Sequence, residues 1–79
     1  MSPDQIEVGK TYKHREGSSV EKTVLEIADY DFEGGTRTQV TVRWLIRLPE
    51  VTVVRQGLLS LADFARWANV VVDGPATGD

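Results

Sequence analysis

Residues 39–48 alternate apolar and polar side chains more regularly than any other part of this 79-residue chain. The apolar positions are Val40, Val42, Trp44, Ile46 and Leu48. Because successive side chains of a β-strand point to opposite faces, the pattern predicts a half-buried strand with Trp44 in the core and with Arg43 and Arg47 facing outward. Pro49-Glu50 breaks the pattern, and the apolar run at 51–58 then predicts the second strand of an antiparallel hairpin.

Further strands are expected at 7–13, 23–32 and 70–72. In the segment 23–32, Leu25 and Ile27 share one face while Ala28, Tyr30 and Phe32 share the other, and this change of face predicts a bulge or bend.

Gly34-Gly35 supplies a turn, and Gly57 indicates a bulge or a close backbone approach. Ser60 precedes an apolar stripe at helical spacing over 61–68 and is expected to cap a helix of about two turns. The order predicts a mainly β fold: a small Src-homology-3-like (SH3-like), five-stranded antiparallel barrel with one short helix before the last strand. An open antiparallel sheet capped by the helix is the alternative.

Length and composition predict one domain at 6–72, with flexible tails at 1–5 and 73–79. The chain has no cysteine, which excludes disulfides, and its net charge of −3 argues mildly against a nucleic-acid-binding domain. Neither a membrane-spanning run nor a signal peptide is recognisable, so no membrane partner and a cytoplasmic location are expected.

Catalytic patterns are lacking. His14 is the only histidine, and Gly34-Gly35-Thr36 lacks the lysine and following helix of a phosphate loop. Asp29 and Asp31 lie two positions apart, and paired carboxylates can catalyse glycoside hydrolysis. A chain this small, however, has little room for a sugar-binding cleft. We expect a protein that is not an enzyme, with no cofactor and no metal.

Charge is unevenly distributed. Residues 21–33 hold five acidic side chains against one lysine, and residues 37–55 hold four arginines against one glutamate. The simplest interpretation is that these strands pair their charges across the sheet. A second is an acidic, aromatic partner-binding surface: Asp29, Tyr30, Asp31, Phe32 and Glu33, with Trp67 as a possible interface anchor. A third is a phosphate-binding face formed by Arg37, Arg43, Arg47 and Arg55.

Three stretches, Val8-Gly9-Lys10-Thr11-Tyr12-Lys13-His14-Arg15, residues 23–27 and residues 59–68, carry a resemblance. They resemble a group of short phage and prophage proteins with a Val-Gly-Lys-Thr-Tyr opening and a closing helix containing Ser, Phe and Trp-Ala. The resemblance covers residues 8–69. It implies a mobile-element origin and a small barrel-like fold, and it carries over no catalytic residue.

Together these observations predict a non-enzymatic phage or prophage module that binds a host protein in the host cytoplasm. It would inhibit a defence or regulatory protein through the acidic, aromatic surface. The alternatives are a small nucleic-acid-binding barrel that uses the arginines and a structural or oligomeric phage component. Exposed aromatic side chains also make a homodimer an option.

Overall fold

The computed structural model describes residues 1–72, so the tail expected at 73–79 lies outside the described residues. The elements are a 3-10 helix at Pro3–Gln5, β1 (Thr11–Lys13), β2 (Val20–Phe32), β3 (Gly35–Arg47), β4 (Thr52–Ser60), α1 (Leu61–Trp67) and β5 (Val70–Val71). The first strand is shorter than the expected 7–13 because the chain turns at Gly9, whose φ is +92°.

The five strands form one antiparallel sheet in the order β4-β3-β2-β1-β5. This confirms the mainly β class and the short helix before the last strand. Within residues 1–72 the sheet is open, with β4 and β5 as its edges, so closure into a barrel stays a prediction. Helix α1 packs on one face of the sheet, the helix-side face; the opposite one is called the open face.

The predicted alternation is confirmed from Val40 to Arg47, whereas Leu48 lies beyond the end of β3 and is 48 % exposed. Val40 and Val42 are fully buried, Trp44 is half-buried, and Arg43 and Arg47 are exposed. The strand begins earlier than the apolar pattern does because the polar residues 35–38 continue to pair with β2 as far as Phe32.

The predicted bulge lies in β2, where the register shifts between Val24 and Glu26. Leu25 is the extra residue and is 36 % exposed. The residue that shares the buried face with Ile27 is Val24, which is paired with Val42, and not Leu25 as the spacing predicted. The bulge thus places Val24 and Ile27, which lie on either side of it, on the helix-side face.

The core lies between α1 and the helix-side face. Phe64, Ala65 and Ala68 are buried there, and the Phe64 ring meets the Tyr12 ring edge-on at 5.6 Å. The buried Tyr12 hydroxyl accepts a hydrogen bond from the backbone N–H of Glu7 at 2.9 Å, so this polar group is satisfied.

Both ends of α1 are held by polar groups. Ser60 Oγ accepts from the backbone N–H of Asp63 at 3.0 Å, which confirms the predicted cap. Residues 1–5, expected to be a flexible tail, contain the 3-10 helix, which contacts α1. The Met1 nitrogen donates to the carbonyls of Ala65 and Ala68 at 2.9 and 3.0 Å.

Candidate binding surfaces

The hairpin formed by β2 and β3 is longer than the rest of the sheet. Its pairing runs to Phe32 and Gly35, whereas β4 ends its pairing with β3 at Ser60, opposite Gln39. Residues 29–38 therefore form a two-stranded extension, here called the acidic ribbon. Its length contributes to an elongated molecule of 43 × 23 × 22 Å.

Cross-strand pairing divides the acidic ribbon into two faces. Asp29 and Asp31 share the helix-side face, paired with Thr38 and Thr36, while Tyr30 and Phe32 lie on the open face. The acidic and the aromatic side chains therefore lie on opposite faces, as the alternation of side chains along a strand requires. Glu33 lies in the turn beyond the strand and is exposed.

Local contacts hold the side chains of the acidic ribbon in place. The Thr38 hydroxyl donates to Asp29 Oδ1 at 2.7 Å, and the Thr36 hydroxyl donates to Asp31 Oδ1 at 3.0 Å. On the other face, the Arg37 guanidinium lies 5.3 Å from the centre of the Phe32 ring, which remains 43 % exposed.

Trp67, the sixth predicted partner-binding residue, is not brought to the acidic ribbon. It lies at the C-terminal end of α1 and contacts Phe64, His14 and Lys22. Lys22 and Asp29 are seven positions apart along β2, roughly 20 Å at the usual strand rise. Trp67 clamps the helix to the sheet through these contacts, and any interface it anchors is separate from the acidic ribbon.

Lys22 occupies a setting that the sequence did not indicate. Its ammonium nitrogen lies 4.9 Å from the Trp44 ring centre and 4.1 Å from the Trp67 ring centre. Burial between these rings lowers the pKa of Lys22, since removing the ammonium from water disfavours its charged form. Lys22 faces the core side because it is paired with Tyr12 and Trp44.

The His14 side chain packs against Trp67 and so supports the ring that lies beside Lys22. Its ring stacks on Trp67 with centroids 6.1 Å apart, and its Nδ1–H donates to the Trp67 carbonyl at 2.7 Å. Asn69 Nδ2 donates to the His14 carbonyl at 2.9 Å. These contacts fix the C-terminal end of α1 against the loop after β1.

The four arginines proposed as a phosphate-binding face do not share one face. Arg37, Arg43 and Arg47 point to the open face, but Arg55 lies on the helix-side face because it is paired with Trp44. Arg47 Nε also lies 3.7 Å from Glu21 Oε2, so one acidic and one basic side chain of these strands pair across the sheet.

A shallow depression lies beside the free edge of β4. Its lining residues are Trp44, Ile46, Arg55, Gln56, Gly57 and Leu58. The Trp44 ring rests on Gly57, where any Cβ would lie 2.5 Å from a ring carbon. This confirms the predicted close approach at Gly57, and the continuous register there excludes the bulge.

Among residues 1–72, no cluster of three or more histidine, aspartate or glutamate side chains is arranged to hold a metal ion. No helix in that part of the chain has the length and apolar character needed to cross a membrane. A scan against protein-family models matched none, and searches of curated proteins and of solved structures found no significant match.

Proposed function

We propose that this chain is a non-enzymatic protein-binding module whose working surface is the acidic ribbon. One observation carries the proposal: the ribbon extends past the end of β4 and presents acidic and aromatic groups on separate faces. Because β4 does not flank the edge of the ribbon, and because Asp29, Asp31 and Phe32 are exposed, a groove in a partner can contact acidic and aromatic groups together.

The contacts within the acidic ribbon favour binding. Thr36 and Thr38 hold the carboxylates of Asp31 and Asp29, so fewer rotamers must be frozen when a partner docks. Phe32 offers an apolar anchor already stacked under Arg37. The partner surface that fits is a basic groove beside an apolar pocket. Electrostatic steering would make association faster at low salt.

The resemblance to phage and prophage proteins favours a bacterial host protein as the partner, with the host cytoplasm as the place of encounter. A defence or regulatory protein with a basic groove that normally holds nucleic acid fits this chemistry, and occupying the groove would inhibit it. The strand order, with the last strand beside the first, supports an opened relative of the SH3-like barrel as the scaffold.

The alternative of nucleic-acid binding has weaker geometric support. Glu21 and Glu26 lie on the open face beside the three arginines there, and Arg55 points to the other face. A phosphate backbone on the open face would thus meet both signs of charge. The third hypothesis, a structural or oligomeric phage component, would require assembly into particles larger than a small closed oligomer.

The test is recovery of partners from a bacterial lysate by the immobilised protein, quantified by mass spectrometry. The ribbon variant is D29N/D31N/E33Q, which removes three charges and leaves acceptor oxygens for Thr36 and Thr38. The matched control, E7Q/E16Q/E50Q, removes three exposed acidic charges elsewhere.

We expect a partner that the wild type and the control recover and that the ribbon variant loses. We also expect its recovery to fall as salt rises, because charged contacts are screened. Equal recovery by all three proteins would remove the acidic ribbon as the working surface. A gel shift of DNA by wild type at low salt, abolished by R43Q, would instead favour the arginine face.

A further inference from the structure

Strand β4 is a nine-residue edge strand with no neighbour on its outer side within residues 1–72. The N–H of Leu48 donates to the carbonyl of Val51 at 2.9 Å, which fixes the direction of the backbone groups in this hairpin. By the alternation of an antiparallel ladder, odd-numbered residues of β4 point their N–H and C=O groups to β3. The even-numbered residues point theirs outward: Thr52, Val54, Gln56, Leu58 and Ser60.

The usual protections of an edge are missing from β4. The strand contains no proline and no bulge, and Arg55 is its only charged residue. Its open face exposes Val54 and Leu58, at 58 % and 47 %. A long, regularly paired and partly apolar edge is a template for pairing with another strand.

We propose that a second copy of this chain pairs with β4 as an antiparallel strand, with Gln56 on the two-fold axis. The two β4 strands then join two sheets into one. This interface is distinct from the acidic ribbon, so the proposal stands independently of the function proposed above.

The strand itself selects this register. Thr52–Ser60 is symmetric about Gln56, so pairing Gln56 with its own copy matches all of β4 and directs every outward-pointing group at an outward-pointing group. A two-fold axis at Arg55 would instead place two like charges opposite each other, which is destabilising.

Side chains also match in this register. On the open face Val54 meets Leu58 of the second copy, Gln56 meets Gln56, and Thr52 meets Ser60, so apolar groups meet apolar groups and polar groups meet polar ones. On the helix-side face Arg55 lies opposite the second copy's Gly57, over which the Trp44 ring lies. The guanidinium thereby reaches an aromatic face across the interface.

The experiment is to measure mass by sedimentation equilibrium at micromolar concentrations for wild type, Q56K and Q56E. The axis places residue 56 of one copy opposite residue 56 of the other, so each variant brings two like charges together at the interface. We expect wild type at about twice the 8.8 kDa of one chain. Each variant alone should raise the dimer dissociation constant by about tenfold or more. Mixing Q56K with Q56E should restore the dimer, since the charges are then opposite.

Two controls separate pairing at this edge from other effects. S19K and S19E make the same charge changes at an exposed site away from β4 and should leave the wild-type dimer unchanged. Q56P removes an N–H that points outward, so the monomer fold should persist by circular dichroism while the dimer is lost.

Several results would overturn the proposal. One is a wild type that stays monomeric at several hundred micromolar. Another is a dimer that resists both Q56K and Q56P, which would assign pairing to a different surface. A third is the failure of mixed Q56K and Q56E to associate, which would exclude the two-fold axis at Gln56.

Discussion

Replacement of Gly57 by alanine tests the packing of Trp44 on β4. The added methyl carbon would lie 2.5 Å from Trp44 Cζ3 and 2.9 Å from Cη2, whereas non-bonded carbons prefer roughly 3.5–4.0 Å. The ring must therefore move by about 1 Å to reach an ordinary contact. Gly57 does not have a positive φ, so this contact is the source of the strain.

The magnitude follows from two opposing effects. Overpacking costs typically about 1–3 kcal/mol. Replacing glycine by alanine also reduces the entropy of the unfolded chain, which returns about 0.4–1 kcal/mol. Trp44 is only half-buried, so its ring has room to shift and the cost falls in the lower part of the range. We expect Gly57→Ala to lower the free energy of unfolding by about 1 kcal/mol.

Urea denaturation followed by tryptophan fluorescence measures this change. Gly34→Ala is the matched control, because no atom lies within 4 Å of its Cβ position and its φ is not positive. It should leave stability unchanged or raise it by up to about 1 kcal/mol. Circular dichroism in the Trp44→Leu background provides a second comparison, in which Gly57→Ala should no longer be destabilising. Equal effects at Gly57 and Gly34, or an undiminished cost without the Trp44 ring, would refute the reasoning.

Two other predictions concern α1 and Lys22. Ser60→Ala removes the cap on the Asp63 N–H and should cost about 1 kcal/mol in urea denaturation, with Ser60→Thr retaining most of it; equal losses for both would contradict a capping role. Burial lowers the folded-state pKa of Lys22, so the unfolded chain binds more protons between that pKa and the ordinary lysine value of about 10.4. The stability of wild type relative to Lys22→Met should therefore rise with pH through this window, whereas a difference that does not change with pH would argue against the burial effect.

Periodicity made much of the sheet predictable. Because residues two apart in a strand share a face, the pattern placed Val40 and Val42 on one buried face. Both are fully buried and pair with Ile27 and Val24 of β2. The change of apolar face after Ile27 predicted a bulge in β2, and one is present, but between Val24 and Glu26 rather than at the change of face. Its position was not readable, because Val24 and Leu25 are both apolar and only pairing with Val42 determines which one enters the core.

Placement of the surface side chains was harder to predict. Arg55 was grouped with Arg43 and Arg47 by sequence proximity, but the register of β4 puts it opposite Trp44 on the other face. Strand alternation fixes relative faces within one strand, whereas faces on different strands depend on a hairpin register that the loop around Pro49 did not define. The cluster of Lys22 with Trp67 depends likewise on contacts between elements distant in sequence.

The two proposed surfaces occupy different parts of the sheet, which makes their tests separable. The acidic ribbon begins beyond Ser60, at the end of β4. Antiparallel pairing about Gln56 sets Ser60 of one copy beside Thr52 of the other, so the two ribbons would extend from opposite ends of the joined sheet. A monomeric Gln56→Lys variant should therefore keep its intrinsic affinity for a partner. The ribbon variant D29N/D31N/E33Q should likewise remain a dimer. Only a partner that offers two binding sites, spaced to reach both ribbons, would gain affinity from dimerisation, because the second contact is then intramolecular.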